Sequence, residues 1–300
     1  MDKLLDETFS DRAGTRTYKV HVPRNARRAA MPLIVMLHGC TQDPDDFAAG
    51  TRMNALADKN TCVVVYPAQP ESANPAKCWN WFSSVDQHRD QGEPAILAGI
   101  TRAVMQTYRI DKRQVFIAGL SAGASMSIVM AATYPELYAA LGVHSGLPYR
   151  SAENVFGALH AMRNGAASLQ SLGASGVPII VFHGDHDRTV NPCNGRQIIA
   201  QWLASRPDPT PSSVGAEERG ESNGRGYLRT RYGDVRGGLF AEHWLIEDLG
   251  HAWSGGSPEG SFADPTGPDA SREMMRFFLH LAGRRRAGIV TRLIRSLKSR

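Results

Sequence analysis

Along the chain, short apolar runs bounded by turn residues alternate with longer stretches in which apolar positions recur at helical spacing. The runs "PLIVMLHG" (32–39), "TCVVVYP" (61–67), "QVFIAGL" (114–120), "AALGVHSG" (139–146) and "VPIIVFHG" (177–184) are apolar throughout, as expected of strands buried on both faces. "TRTYKVHVP" (15–23) alternates instead and predicts an antiparallel edge strand, while "EHWLIEDLG" (242–250) closes the series of strands. Helices are predicted over "GEPAILAGITRAVMQTYRI" (92–110), "SAGASMSIVMAATYP" (121–135), "GRQIIAQWLAS" (195–205) and a closing "PDASREMMRFFLHLAG" (268–283). This order predicts an α/β protein with a mostly parallel central sheet and helices on both faces. The Pro- and Gly-rich segments 205–226 and 254–268 read as surface loops. The connection 68–93 is long for a compact domain, and three aromatic residues within four positions argue that it is ordered.

Length and composition narrow this picture. Three hundred residues can form one large core, and 42% hydrophobic with 21% charged residues is ordinary for a soluble globular enzyme. No apolar run reaches the roughly 18 residues of a membrane span. The acidic, polar start "MDKLLDETFSDRAG" has no secretory-signal pattern. The net charge of +5 resides in "RRRAGIVTRLIRSLKSR", where residues 284–300 carry seven basic side chains and no acidic one. Placing Ile289, Val290, Leu293, Ile294 and Leu297 on one helical face, opposite Arg292, Arg295 and Lys298, gives the pattern of an interfacial helix. The chain therefore divides into a catalytic domain, 1–283, and a basic amphipathic tail, 284–300, suited to weak contact with a membrane or polymer surface. A nucleic acid partner is not expected.

Candidate chemistry comes from the polar residues that end the strands, because active groups in such sheets gather outside the strands' carboxyl ends. Gly119-x-Ser121-x-Gly123, between an apolar strand and a helix, is the pattern of a nucleophile elbow; the alternative is that small residues simply let strand and helix pack closely. A serine nucleophile needs a base and a group that orients the base. In chain order the acid precedes the histidine. Of His183, His186, His243, His251 and His280, we expect His243 and His280 to be structural, as part of a strand and of a helix. His183 precedes the acid. His251, in the glycine-flanked loop "DLGHAWSGG", is the expected base. Asp185 and Asp187 both follow a strand; Asp187 is favoured because it lies farther out on the loop, toward His251. The loser would serve a turn or cap. Oxyanion donors are expected from the backbone N–H groups of Ala122 and Cys40.

Five segments together resemble the polyhydroxybutyrate depolymerase family of serine esterases, relatives of feruloyl and acetylxylan esterases: "PLIVMLHGCTQDPDDFAAGTRMNALAD", "CWNWF", "GLSAGASM", "HGDHDRTVNPCNG" and "GHAWSGGSPEGSFADPTGPDASREMMRFF". The resemblance spans about Phe9 to Leu281 and implies an α/β-hydrolase fold. It also implies a triad of Ser121, Asp187 and His251, with Asp187 preferred over Asp185 by the family's "HGxxDxxV" pattern, and an oxyanion hole from the amides of Cys40 and Ala122. Finally, it implies a Cys40–Cys78 disulfide. Such a bridge suits an extracellular or periplasmic setting, whereas the missing signal leaves a cytoplasmic one open. Cys62 reads as a buried small hydrophobe, and Cys193 has no assignment.

No metal-type cysteine spacing, P-loop or HExxH occurs, so neither metal nor cofactor is expected. Trp79, Trp81, Phe82 and Trp253 are candidates for an apolar substrate pocket, against the alternative that they only anchor their loops. These features predict hydrolysis of short-chain hydroxyalkanoate esters or oligomers, with feruloyl or acetyl sugar esters second. The remaining readings are a serine peptidase of the same fold and a non-catalytic scaffold that binds through its tail. Oligomeric state is not legible.

Overall fold

A computed structural model describes residues 4–26, 29–172, 176–205, 214–233 and 239–283. The basic tail 284–300, and with it the expected surface helix, lies outside them. Among the described residues, twelve strands alternate with helices: β1 (Leu5–Asp11), β2 (Gly14–His21), β3 (Met31–Leu37), α1 (Pro44–Thr51), α2 (Met53–Asn60), β4 (Val63–Pro67), α3 (Gly92–Thr107), β5 (Ile110–Leu120), α4 (Ala122–Thr133), β6 (Ala140–His144), α5 (Val155–Asn164), β7 (Ile179–Gly184), α6 (Cys193–Ala204), β8 (Val214–Ser222), β9 (Arg225–Gly233), β10 (Leu239–Ile246), β11 (Trp253–Ser254) and β12 (Ala263–Asp264). A last helix, α7, covers 270–283. None of these helices is long and apolar enough to cross a membrane.

Ten of the strands form one sheet in the order β1-β2-β4-β3-β5-β6-β7-β10-β9-β8. The inner strands from β4 to β10 run parallel, and both margins are antiparallel. In β3 the side-chain alternation sends Leu33, Val35 and Leu37 to one face and Ile34 and Met36 to the other. The first face is covered by α3, α4, α5 and α6, the second by α1, α2 and α7. Helix α4 is buried from Ala122 to Ala131, which explains why its sequence is apolar or small all round. Phe278 of α7 stacks on Phe116 of β5 at 4.7 Å. Asp269 caps α7 by accepting the Arg272 N–H at 3.0 Å.

Two expectations are corrected. β2 is not the sheet edge, because β1 pairs along its outer side. The segment read as a loop over 205–226 contains β8, which pairs with β9 across Asn223-Gly224. Both residues have positive φ, 47° and 78°, as a tight hairpin turn requires. β8 escaped notice because Glu217, Glu218, Arg219 and Glu221 give an edge strand a charged, non-alternating face.

Candidate active site

Ser121 sits between the end of β5 and the start of α4 with φ 55° and ψ −118°, a backbone conformation costly for a residue with a side chain. The flanking glycines permit the bend by letting backbone meet backbone. A Cβ on Gly123 would lie 2.1 Å from the Leu37 carbonyl oxygen and 2.4 Å from that of His38, and one on Gly119 would lie 2.5 Å from Gly123. Close packing and exposure of the serine are therefore one device. Ser121 N–H donates to the His144 carbonyl (2.9 Å), tying the bend to β6.

Asp187, two residues beyond the Asp185 that follows β7, is folded inward. Its Oδ1 accepts the N–H groups of Thr189 (2.9 Å) and Val190 (2.8 Å), and its Oδ2 accepts Nδ1–H of His251 at 2.7 Å. His183 Nε2 lies 3.5 Å from the same oxygen. Burial by itself would raise the Asp187 carboxyl, but the His251 hydrogen bond and charge, with Val190 N–H and His183, outweigh it and hold the group below the usual carboxylate range. With Nδ1 committed to Asp187, His251 keeps Nε2 to accept a proton. Asp185 is engaged elsewhere, accepting the Asp248 N–H (2.8 Å) and pairing with His186 (2.8 Å).

His144, a residue sequence reasoning passed over, joins the serine bend to the His251 loop. Its Nε2 accepts the Ser254 N–H at 3.1 Å, so its proton lies on Nδ1, directed at Ser145 Oγ (3.2 Å). Burial, with the neighbouring imidazoles, pushes it down to about 3, so it is neutral at pH 7. His183 and His243 are buried, and His280 is exposed on α7.

The turn after β3 lies beside the serine: a Cβ on Gly39 would be 3.6 Å from Ser121 Cβ. Gly39 N–H donates to Gln42 Oε1 (2.9 Å). Among the described residues neither Cys40 N–H nor Ala122 N–H donates a hydrogen bond. Cys40 is bonded to Cys78, which ties this turn to the long loop 68–91. Cys62 is buried, which pushes its thiol up to about 12, and Cys193 is a half-buried free thiol. Gln42 also donates to Ser261 O (2.9 Å) and Asp46 Oδ2 (2.9 Å), connecting the turn to the strap that follows His251.

Of the two readings for the aromatic residues, burial favours that of loop anchors for the tryptophans. Trp79 (0% exposed) and Trp253 (1%) are core anchors, and Trp81 is buried with them. Trp253 stacks on His144 at 5.2 Å and donates to Ser271 Oγ at 3.1 Å. Phe82 alone of the four is only partly buried. The exposed ring beside His251 is Phe262, 45% accessible, edge-on to the imidazole at 6.4 Å and with φ 49°. A lone aromatic in a Gly-, Ser- and Pro-rich strap soon after the expected base was its signal. Among the described residues, Asp185, His186 and Asp248 have ligand atoms within 4.8 Å of one another and could hold a cation; all three are exposed and already hydrogen-bond among themselves.

The model of the family described as esterase PHB depolymerase matches residues 16–224, from β2 through β8, and so takes in the serine bend, the acid loop and the disulfide. The chain belongs to this esterase family. Poly(3-hydroxyalkanoate) depolymerase C of Paucimonas lemoignei is 32% identical over 259 residues, covering 81% of the chain and 60% of the relative. A probable acetylxylan esterase A of Aspergillus fumigatus is 32% identical over 212 residues, covering 64% and 56%. The esterase-family chain thus spans somewhat over half the length of these relatives. A solved acetyl xylan esterase from Aspergillus awamori superposes with a TM-score of 0.69 over 83% of the chain and 94% of its own, at 23% identity. That likeness shows the α/β-hydrolase fold and no more.

Proposed function

We propose that this chain is a carboxylic ester hydrolase with Ser121 as nucleophile, His251 as general base and Asp187 as the orienting acid. The observation that carries the reading is the 2.7 Å bond from His251 Nδ1 to a buried, ionised Asp187, these two residues and the strained Ser121 each following a parallel strand of the sheet. His251 Nε2 takes the Ser121 proton as Oγ attacks the ester carbonyl. Asp187 stabilises the imidazolium without itself taking the proton. The two unclaimed amides, Cys40 in the turn after β3 and Ala122 at the positive end of α4, receive the oxyanion. Collapse forms the Ser121 acyl-enzyme and breaks the ester C–O bond, and His251 returns its proton to the leaving alcohol. Water, deprotonated by His251, then releases the acid and regenerates the serine.

For the substrate we propose short-chain hydroxyalkanoate esters and their oligomers. The depolymerase relative, named for poly(3-hydroxyalkanoate), aligns with the chain over 259 residues against 212 for the Aspergillus fumigatus relative at the same 32% identity, which supports this order. The exposed Phe262 ring beside the base would contact the leaving group, which must approach His251 to be protonated. Hydrolysis of hydroxybutyrate oligomers, p-nitrophenyl butyrate, methyl ferulate and acetylated xylan by the wild type and by Ser121→Ala tests both levels. Faster turnover of the first two, lost in the variant, is expected. Faster turnover of acetylated xylan would move the substrate, and undiminished activity of the variant would reject the mechanism.

A further inference from the structure

Glu93 is a carboxylate only 4% exposed at the start of α3, apart from the triad and the oxyanion amides. A buried carboxylate is tolerated only where donors surround it. Its Oε2 accepts the Asn80 N–H (2.8 Å), and its Oε1 accepts Asn80 Nδ2 (2.8 Å) and the Gln69 amide nitrogen. The Arg16 guanidinium lies 3.6 Å from Oε1. Every one of these groups is a donor.

Gln69, itself buried, carries the arrangement onward. Its Oε1 accepts Arg16 Nε (3.0 Å), its Nε2 also donates to Cys78 O (3.0 Å), and its backbone N–H donates to His38 Nε2 (3.1 Å). That last bond places the His38 proton on Nδ1, which donates to Gly39 O at 2.7 Å. In a trans peptide the C=O and the following N–H point to opposite sides. Holding Gly39 O against the imidazole therefore turns the Cys40 N–H away from His38. With Gly39 N–H taken by Gln42, the Cys40 amide is the turn's free donor.

We propose that Glu93 is a positioning residue for the oxyanion hole, acting through Gln69 and His38 to fix the Gly39–Cys40 peptide. The inference rests on the hydrolase reading above. The site asks for a carboxylate in particular: with only donors converging on both oxygens, an amide would set its own N–H groups against Asn80 or Gln69. Burial, with Asp86 adding to it, pushes Glu93 up to about 7, against the pull of Asn80, Gln69 and Arg16. The charged and titratable groups around the relay are Arg16 from β2, Asp86 from the turn before α3, and His38, near which lie Lys77, Asp43 and Asp46. Protonation of Glu93 would place a hydroxyl against the same donors and loosen the chain of bonds at its root.

The test uses the full chain with Glu93→Gln and Gln69→Leu, beside wild type and Ser121→Ala. Turnover of p-nitrophenyl butyrate and affinity for butylboronic acid, which presents a tetrahedral oxygen to the hole, are measured at a temperature where circular dichroism shows native structure. A whole oxyanion donor is worth about 100- to 1000-fold in turnover, so a displaced one should lower kcat about 10- to 100-fold. KM should stay within about threefold, and boronate affinity should fall in parallel with kcat. A purely structural Glu93 would lower only the melting temperature. Wild-type kcat and boronate affinity in folded Glu93→Gln would overturn the inference. Should that variant not fold, Gln69→Leu, which leaves the Glu93–Asn80 bonds intact, decides in the same way. A Ser121→Ala chain that still hydrolysed the ester would instead reject the hydrolase reading, and this inference with it.

Discussion

The Ser254 backbone N–H donates to His144 Nε2 at 3.1 Å, while the carbonyl of the same histidine accepts the Ser121 N–H at 2.9 Å. One neutral imidazole at the end of β6 thus sets the serine bend and the His251 loop relative to each other. His144→Leu would leave the Ser254 N–H buried and unpaired, at about 1–3 kcal/mol. We expect a melting temperature lower by several degrees and a kcat reduced more than tenfold. Thermal melting and steady-state kinetics on the same preparation check both.

The glycines of the serine bend differ in kind from the one beside His251. Gly123→Ala would drive a Cβ to 2.1 Å from Leu37 O, whereas a Cβ on Gly250 meets nothing within 4 Å. Gly123→Ala should lose activity and at least about 3 kcal/mol of stability, since backbone has nowhere to retreat. Gly250→Ala should stay within about 0.5 kcal/mol of wild type. Urea unfolding of the two variants makes the comparison.

The Cys40–Cys78 bridge closes a span of 38 residues between the turn after β3 and the long loop. In the chain-entropy account such a closure is worth on the order of 4 kcal/mol. Cys78→Ser should lower stability toward that extent and reduce kcat more than it changes KM, because the Cys40 amide loses its anchor. Chemical denaturation and kinetics in the presence and absence of reductant measure the effect.

Acid should destabilise the fold through buried imidazoles. Burial lowers His38 to about 4 and both His144 and His243 to about 3. Between those values and the ordinary histidine value near 6.5, the unfolded chain binds protons that the native chain does not, so stability falls as pH falls through that window. Glu93, raised to about 7, acts oppositely: the native state binds its proton between about 4.5 and 7, so its contribution falls as pH rises. Three imidazoles outweigh one carboxyl. Unfolding followed from pH 7 to pH 4 should show falling stability, with a shallower fall in His243→Leu, which removes a buried unpartnered Nε2.

The parallel strands were legible because burial on both faces demands uninterrupted apolar runs such as Ile179 to Phe182, and the serine bend because its glycines lie within five residues. β8 was not, since its run of charges at an exposed margin breaks the apolar alternation, although Asn223-Gly224 announced the turn. The supports of the site were hidden for a different reason. Gln42 meets Ser261, His144 meets Ser254, and Glu93 meets Gln69 across long stretches of chain, and a lone polar residue gives no sign of its distant partner. The tryptophans stayed ambiguous in the sequence because a large ring signals the need for burial as readily as it signals a substrate.

The most direct test of the central claim is covalent labelling by diethyl p-nitrophenyl phosphate, followed by intact mass and peptide mapping. A Ser121 nucleophile predicts equimolar release of p-nitrophenol and a single phosphorylated peptide bearing that serine, with labelling slowed in His251→Asn and Asp187→Asn and absent in Ser121→Ala. Label on another residue, or ester hydrolysis that survives the loss of Ser121, would contradict it.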